Sequence, residues 1–185
     1  MEEEQVLISR AQTGDANAFA YLYDRHVDAI YRYVQLRVPT DDLAEDITED
    51  VFLKAWQALP RYKPDRPFRH WLYRIAHNRI VDEHRRRSQQ DISLDGLVEA
   101  GKHPTSLGPS PLHAVITKEN LQELREALST MTPEEQTLLT LRFTEGLSFQ
   151  EIGAILDKSA GACRVLQHRA LKKLAQKLYQ PAEVA

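Results

Sequence analysis

Apolar residues recur every three or four positions along almost every long segment of this 185-residue chain. No convincing stretch alternates with the period of two that a half-buried strand requires. Hydrophobic residues make up 42% of the chain, a share that is normal for packed domains and argues against global disorder. The pattern predicts an all-α protein, and the length allows two small helical domains.

Prolines, glycines and capping residues divide the first half of the chain into four predicted helices. Pro60, Pro64 and Pro67 force a loop before the last of them, because proline lacks an amide donor and fixes φ. We expect Pro67 to occupy the first turn of that helix. The expected helices run from about Glu4 to Thr13, from after Asp15 to near Pro39, from after Thr40 past Trp56, and from Pro67 to Arg87.

The composition changes after the fourth predicted helix. Residues 89–111 are rich in glycine, proline and serine and show no sustained helical period. This composition predicts a flexible interdomain linker, with a transient turn at about Leu94–Val98. We therefore divide the chain into a first domain at residues 1–88, a linker at 89–111 and a second domain at 112–185.

The second domain contains two strong helix-start signals. Thr132-Pro133-Glu134-Glu135 combines a capping threonine, a proline at the first helical position and a glutamate three residues after the cap. Ser148 and Glu151 repeat the capping pattern before a short helix that ends at Leu156. The other predicted helices cover about 113–129, 133–144 and 160–179, and Ser159 caps the last.

A short helix, a tight turn at Asp157-Lys158 and a longer basic helix have the lengths of a helix-turn-helix. The second helix of such a motif enters the major groove of DNA, so small or polar residues are needed at its start and cations further along. An inward stripe is expected at Cys163, Leu166, Ala170 and Leu174. Predicted DNA contacts are Ser159, Ala160, Gly161, Arg164, Val165, His168, Arg169 and Lys172. The alternative is an ordinary amphipathic helix pair with solvated charges.

Charge is strongly segregated, although the net charge is only −3. Residues 41–50 hold six acids and no base, whereas residues 61–87 hold nine Lys or Arg against three acids. Such segregation predicts one acidic face for a protein partner and one basic face for a polyanion. A solvated face is the alternative for the acids. On the same helix as the acids, Val51, Leu53 and Trp56 are expected to be mostly core, as is Trp71 on the next helix.

Several function classes are disfavoured by what the sequence lacks. Cys163 is alone, so an intramolecular disulfide or a CxxC metal site is excluded. We find no HExxH, P-loop or GxSxG arrangement, and we predict no catalytic residue, no metal and no cofactor. The first residues are acidic and unlike a signal peptide, and no 18 apolar residues run together, which predicts a cytoplasmic protein without a membrane span.

Three segments resemble a known family. Ala44-Glu-Asp-Ile-Thr-Glu-Asp-Val-Phe-Leu-Lys-Ala-Trp56 is similar to the second conserved helix of the sigma-70 family. Phe68-Arg-His-Trp-Leu-Tyr-Arg-Ile-Ala-His-Asn-Arg79 resembles the promoter-melting helix of its extracytoplasmic-function branch, and Leu147-Ser-Phe-Gln-Glu-Ile-Gly-Ala-Ile-Leu156 resembles its −35-reading domain. The order of the three segments matches the family, so the resemblance covers both helical domains.

The resemblance implies an RNA polymerase sigma factor that binds core polymerase, melts the −10 element and reads the −35 element as duplex. Contacts to the β′ clamp helices are implied at Asp46, Glu49, Asp50 and Phe52, and the β flap is a further expected partner. Contacts to −10 DNA are implied at Arg61, Tyr62, Lys63, Arg66, Arg69, Arg74, Asn78, Arg79, Arg85, Arg86 and Arg87, with Tyr62 and Asn78 in the base pocket. An anti-sigma factor is a further partner that the family suggests.

Two positions depart from the family pattern. The buried leucine of the recognition helix stands at Leu166, where arginine is common, and Gln167 stands where leucine is common. Asp157 occupies a turn position where glycine is common, although aspartate tolerates left-handed geometry. The alternative function is a helix-turn-helix regulator that binds operator DNA without polymerase. That reading explains neither the acidic helix nor the aromatic and basic loop.

Overall fold

Helices account for all the regular structure in the residues that the computed structural model describes, which are 2–93 and 118–179. An N-terminal unit contains α1 (Glu2–Gln12), α2 (Ala16–Gln35), α3 (Asp41–Ala58), a 3₁₀ turn (Leu59–Arg61) and α4 (Phe68–Ser93). A C-terminal unit contains α5 (Lys118–Ser129), α6 (Pro133–Phe143), α7 (Phe149–Leu156) and α8 (Ala160–Tyr179). The all-α prediction with two helical units is confirmed.

Local capping chemistry explains where the first helices begin and end. Gly14 adopts a φ of +95°, which a β-carbon would disfavour, and it ends α1. The side chain of Asp15 then caps α2 by accepting the Ala18 amide at 3.1 Å. That amide, together with the guanidinium of Arg10, holds the pKa of Asp15 below its usual value. Thr40 caps α3 in the same way by accepting the amide of Leu43.

Four helices enclose the core of the N-terminal unit. Leu22, Ile47 and Leu72 come from α2, α3 and α4 and are fully buried. Burial of each such side chain contributes roughly 1.5–3 kcal/mol. The ring of Tyr33 packs edge-on against that of Tyr73, with 5.2 Å between the centroids, and this contact joins α2 to α4.

Helix α4 is longer than predicted. It was expected to end at Arg87, whereas it continues for six further residues to Ser93. No proline or glycine interrupts residues 88–93, and the Ser88 hydroxyl donates to the His84 carbonyl at 3.0 Å, so the chain has no local reason to stop. The predicted turn at Leu94–Val98, the rest of the linker and the first residues of the helix predicted at 113–129 lie outside the described residues.

The prediction that Leu53 is mostly core is wrong. Its side chain is 55% exposed, whereas Val51 is fully buried and Trp56 is partly buried against the core. Residues two apart on a helix point about 200° apart, so Val51 and Leu53 cannot share an inward face. Trp71 is also partly buried and packs against the core, in line with its predicted place.

Both predicted capping boxes are present in the C-terminal unit. At the start of α6 the Glu135 amide donates to the Thr132 hydroxyl, and the Thr132 amide donates to the Glu135 carboxylate at 2.9 Å. At the start of α7, Ser148 and Glu151 repeat the arrangement, with an amide-to-carboxylate distance of 2.7 Å. Each box satisfies two backbone donors that a helix start would otherwise leave unpaired.

A close backbone approach fixes the turn between α7 and α8. The Lys158 amide donates to the Gly153 carbonyl at 2.9 Å, and a β-carbon at Gly153 would lie only 2.4 Å from the Lys158 carbonyl oxygen. Asp157 adopts a φ of 55° and is the one non-glycine residue with positive φ among residues 2–93 and 118–179. The tolerance of aspartate for this geometry, expected from the sequence, is confirmed.

Gly153→Ala should destabilise the C-terminal unit by about 1–3 kcal/mol, because its methyl group would overlap backbone that cannot move independently. Gly161→Ala is the matched control, since the nearest atom to its added β-carbon is 3.8 Å away and the position is helical. We expect that control to leave stability unchanged or raise it by up to about 1 kcal/mol. Urea unfolding followed by circular dichroism measures both, and equal midpoints for the two variants would contradict the close approach.

Candidate nucleic-acid and protein interfaces

Four carboxylates form an acidic surface along α3, defined here as Asp42, Glu45, Asp46 and Glu49. The side chains of Asp46 and Glu49 are exposed, and no ion pair involves them within the described residues. Partial burial raises the pKa of Glu45, and the nearby carboxylates raise it further. Like charges this close repel one another, so an approaching cationic partner would relieve the repulsion.

The two other acids of this segment are engaged elsewhere. Asp50 pairs with Arg79 of α4, with 2.8 Å between Oδ2 and Nε. Asp41, at the start of α3, pairs with Arg125 of α5 in the C-terminal unit. The segment from 41 to 50 is therefore not one uniform face, because the acids at its two ends form ion pairs with arginines of other helices.

An apolar patch adjoins the acidic surface. Ala16, Phe19, Phe52, Leu53 and Trp56 line a shallow depression of about 280 Å³. Phe52 is only 3% exposed and packs edge-on against Tyr23 at 4.7 Å, so its ring supports the patch from beneath. Leu53, which the sequence analysis placed in the core, is the protruding apolar side chain here. Helical spacing relative to Val51 was the signal that could have identified it.

A second surface, called the basic surface here, consists of the loop before α4 and the first turns of that helix. Its members are Arg61, Tyr62, Lys63, Arg66, Arg69 and Arg74. The ring of Tyr62 is 8% exposed and packs against Trp71 at 4.7 Å. Its hydroxyl donates to the Arg66 carbonyl at 2.6 Å, which holds the loop in a tight curve.

Gln12 of α1 anchors this loop from below. Its amide nitrogen donates to the carbonyls of Leu59 at 3.1 Å and Tyr62 at 2.8 Å. A single side chain therefore donates to two carbonyls of the loop, of which that of Leu59 also accepts the Tyr62 amide at 3.0 Å. Sequence reasoning missed this residue, because no local pattern connects positions 12 and 62.

A cavity of about 330 Å³ opens among these residues. Tyr62 and Trp71 supply its aromatic wall, and cationic side chains border its mouth. The volume exceeds the ~150 Å³ cavities known to admit a benzene ring. Aromatic surfaces with nearby cations suit an unstacked nucleobase and its phosphate. The remaining cavity-lining residues are Arg61, Lys63, Asp65, Arg66, His70, Arg74, Ala154 and Ile155.

Further along α4, three predicted DNA-binding arginines converge on Glu83. Arg79, Arg86 and Arg87 lie 3.2, 2.7 and 3.1 Å from its carboxylate oxygens. The Glu83 side chain is only 4% exposed, and its hydrogen bonds to Arg86, Arg87 and Arg79 lower its pKa to about 2. Arg85 and Asn78 are exposed on the same helix and take no part in the cluster. Sequence reasoning did not identify Glu83, although its spacing of three and four from the arginines was the available signal.

The helix-turn-helix has the inward stripe that the sequence predicted. Cys163 and Ala170 are fully buried, and Leu166 and Leu174 are partly buried against the core. The side chains predicted to contact DNA are exposed, except that Ala160 is half-buried. The exposed ones are Ser159, Gly161, Arg164, Val165, His168, Arg169 and Lys172.

The ring of Phe149 lies beside two arginines. The guanidinium of Arg164 lies 5.5 Å from the centre of this ring, and that of Arg142 lies 4.9 Å from it. Phe149 thus orients Arg164 from the neighbouring helix.

Neither a metal centre nor a membrane span is found in the described part of the chain. No three His, Cys, Asp or Glu side chains converge there as metal ligands would. None of the described helices is both long enough and apolar enough to cross a bilayer.

Comparison with family models gives two matches in chain order. Residues 22–90 match the model described as Sigma-70 region 2, and residues 127–176 match that described as Sigma-70, region 4. The first match covers α3, the loop and most of α4. The second covers the helix-turn-helix. Together they span more than half of the chain.

Individual proteins give the same result. The chain is 34% identical over 174 residues to the ECF RNA polymerase sigma factor BldN of Streptomyces coelicolor, an alignment covering 93% of this chain and 64% of that protein. It is 32% identical to the ECF RNA polymerase sigma-E factor of Escherichia coli, over 95% of this chain and 94% of that protein. Among solved structures, CnrH in complex with the cytosolic domain of CnrY superposes with a TM-score of 0.70 at 26% identity, over 95% of this chain and 97% of CnrH.

Glu83→Gln should lower the free energy of unfolding at pH 7, because the three arginines lose the carboxylate with which they pair. The loss should be only about 1–3 kcal/mol, because two of these arginines are half exposed and water screens their charges. Since the folded-state pKa of Glu83 lies below its usual value of 4.5, its stabilisation is complete above pH 4.5 and is lost as pH falls towards 2. The deficit of the variant should therefore shrink over that range. Urea unfolding at pH 7 and pH 3 tests this, with exposed Glu123→Gln as control. A deficit independent of pH would refute the role of the ionised carboxylate.

Proposed function

Because the chain belongs to the extracytoplasmic-function RNA polymerase sigma factors of the sigma-70 family, we propose that it binds core polymerase and directs promoter-specific initiation through the surfaces described above. The observation that carries this proposal is the pairing, on one small helical unit, of an exposed acidic surface with a basic surface that holds the aromatic side chains of Tyr62 and Trp71. The chain itself catalyses no reaction, and it acts in the cytoplasm, where promoter DNA and polymerase meet.

Core binding is assigned to the acidic surface and the apolar patch beside it. Asp46 and Glu49 present carboxylates to a cationic partner, and Leu53 supplies apolar contact next to them. Apolar contact beside complementary charge is the usual composition of a protein interface. Phe52 and Asp50 act in a supporting role, since the first is buried and the second is paired with Arg79.

Recognition of the −10 element is assigned to the basic surface. Tyr62 and Trp71 form the wall against which an unstacked base would lie. Asn78 lies outside the cavity lining, exposed on α4 seven residues after Trp71, and would offer an amide to the polar edge of a base. Exposed Arg61, Lys63 and Arg69 neutralise backbone phosphates. Arg79, Arg86 and Arg87 reach phosphates only in part, because Glu83 already occupies some of their donors.

Recognition of the −35 element is assigned to the exposed face of α8. Small side chains at Ser159, Ala160 and Gly161 let the start of the helix approach the major groove. Arg164, Arg169 and Lys172 supply cations along the same face. The operator-binding regulator considered as the alternative would use this motif too, but it has no role for the acidic surface or the aromatic cavity.

An anti-sigma factor is proposed as a regulatory partner. The solved structure of CnrH contains the cytosolic domain of CnrY, and CnrH superposes on nearly the whole of this chain. The apolar patch and the acidic surface are the exposed areas that such a partner and core polymerase would compete for.

The double variant Asp46→Lys/Glu49→Lys should bind core polymerase at least about tenfold more weakly, because two attractive charges become repulsive. Both positions are exposed, so the fold should be retained. The control is Glu3→Lys/Glu123→Lys, which makes the same charge change at exposed helical positions outside the proposed interface. Competition binding with fluorescent core measures the difference. Equal affinity for both double variants would show that the acids are only a solvated face.

Asn78→Ala should slow promoter opening about two- to tenfold, the worth of a lost base hydrogen bond, while leaving the closed complex unchanged. Its exposure on α4 means that packing is not disturbed. Gln57→Ala removes an exposed amide from α3 and is the control. Permanganate reactivity reports opening, and mobility shift at low temperature reports the closed complex. Loss of both steps to the same degree would contradict a base-trapping role.

A further inference from the structure

The loop that carries Tyr62 has few backbone donors of its own. Residues 60–67 include Pro60, Pro64 and Pro67, and none of these has an amide hydrogen. The Tyr62 amide closes the preceding 3₁₀ turn on the Leu59 carbonyl at 3.0 Å. Carbonyls in such a segment cannot form a regular ladder, so they take donors from other parts of the molecule. The path of the loop therefore depends on side chains that reach it from other elements.

Gln12 of α1 is such a side chain, and it holds the 3₁₀ turn from both sides. Its amide nitrogen donates to the carbonyl of Leu59, where the turn begins, and to that of Tyr62, which follows the turn. Both partners are acceptors, so the nitrogen of this amide, and not its oxygen, must face the loop. The direction in which Arg61 and Tyr62 project is thus set by a residue 50 positions before Tyr62.

The corner between α1 and α2 fixes the position of Gln12 itself. Gln12 is the last residue of α1, and Gly14 turns the chain with a φ of +95°. Across this corner, Nε and Nη2 of Arg10 donate to the Asp15 carboxylate at 2.9 and 2.7 Å. Ala11, next to Gln12, is buried in the core. The Gln12 amide is therefore presented to the loop from a well-anchored helix end.

The same helix supports the ring of Tyr62 through a row of packed side chains. Nε2 of His26 lies 2.7 Å from the Glu4 carboxylate of α1, and the His26 ring packs against Phe68 with 5.6 Å between centroids. Phe68 in turn packs edge-on against Tyr62 at 5.6 Å. Burial lowers the pKa of His26, although Glu4 opposes this shift, so the ring is neutral at pH 7. A carboxylate only accepts, so the neutral ring donates to it through Nε2.

We propose that Gln12 is a positioning residue for recognition of the −10 element, and that α1 thereby forms part of the promoter-opening machinery without contacting DNA itself. The inference rests on the proposed assignment of the basic surface to −10 DNA. The family model that matches the N-terminal unit begins at residue 22, so α1 and Gln12 lie before the matched residues.

Base capture depends on where the loop holds its aromatic ring. The rings of Tyr62 and Trp71 lie 4.7 Å apart, and a base can stack on this wall only while the loop keeps it in place. Without the two bonds from Gln12 the loop gains alternative paths, and base capture must first order it. The closed complex is less affected, because exposed Arg69 and Arg85 on α4 meet duplex phosphates independently of the loop.

Gln12→Met tests this role, because methionine keeps the length and the apolar stem of the side chain but removes both donors. In reconstituted holoenzyme it should slow promoter opening about three- to thirtyfold, the worth of up to two hydrogen bonds, and leave the closed complex unchanged. Gln5→Met makes the same substitution at an exposed position of α1 and is the control. Permanganate reactivity and mobility shift at low temperature measure the two steps on a promoter fragment that the wild-type holoenzyme transcribes. Equal opening rates for both variants would overturn the proposal.

A comparison of double variants separates positioning from general stabilisation of the fold. Tyr62→Leu removes the aromatic ring but retains an apolar side chain in the loop. In that background Gln12→Met should slow opening by less than about twofold, because no ring remains to be positioned. Arg85→Ala removes an exposed cation later on α4, and in that background Gln12→Met should keep its full effect. If Gln12→Met has the same effect in both backgrounds, Gln12 only stabilises the fold and the proposal is wrong.

The single variants distinguish failure of this inference from failure of the proposed function. Urea unfolding first establishes that each variant is folded at the assay temperature. If Tyr62→Leu slows opening and Gln12→Met does not, the −10 assignment stands and the positioning role is wrong. If Tyr62→Leu leaves opening unchanged, the −10 assignment fails and the inference fails with it.

Discussion

The hydroxyl of Tyr33 lies where the two helical units meet, and its hydrogen bonds connect the core of one unit to a helix of the other. Its ring is 1% exposed and packs against Tyr73 in the N-terminal core, while Arg37 lies 4.8 Å from the ring centre. The hydroxyl accepts from Arg37 and donates to Thr137 of α6. A tyrosine so deeply buried needs a polar partner for its hydroxyl, and here the other unit supplies it. Tyr33 therefore packs in the core of the N-terminal unit with its ring and binds the C-terminal unit with its hydroxyl.

The arginines of α4 and its preceding loop fall into three groups that sequence alone treats as one. Arg79, Arg86 and Arg87 surround the buried carboxylate of Glu83 and stabilise the helix. Arg66 and Arg74 are held by the C-terminal unit. Arg61, Arg69 and Arg85 are exposed. Charge counts predicted a polyanion-binding region, but they do not show which cations are already paired, either within α4 with Glu83 or with residues far away in sequence.

Local chemistry explains why much of the fold could be predicted. The caps at Asp15, Thr132, Ser148 and Ser159 bond within three residues, and periodicity placed Cys163 and Ala170 inward. The acidic middle of α3 was also visible. The contacts of Gln12 and of Asp157 with Arg74 were not, because their partners are selected by tertiary packing across as many as 83 positions. Glu83 was overlooked although its arginine partners lie only three and four residues away on the same helix. Leu53 was wrongly assigned to the core because the predicted apolar face of α3 was wider than the buried one.

The backbone at position 157 limits which residues can stand there. At a φ of 55°, glycine, asparagine and aspartate are the residues that fit with little strain, and of these only aspartate carries a charge. The choice among three residues at one turn therefore decides whether the guanidinium of Arg74 meets a negative charge from the other helical unit.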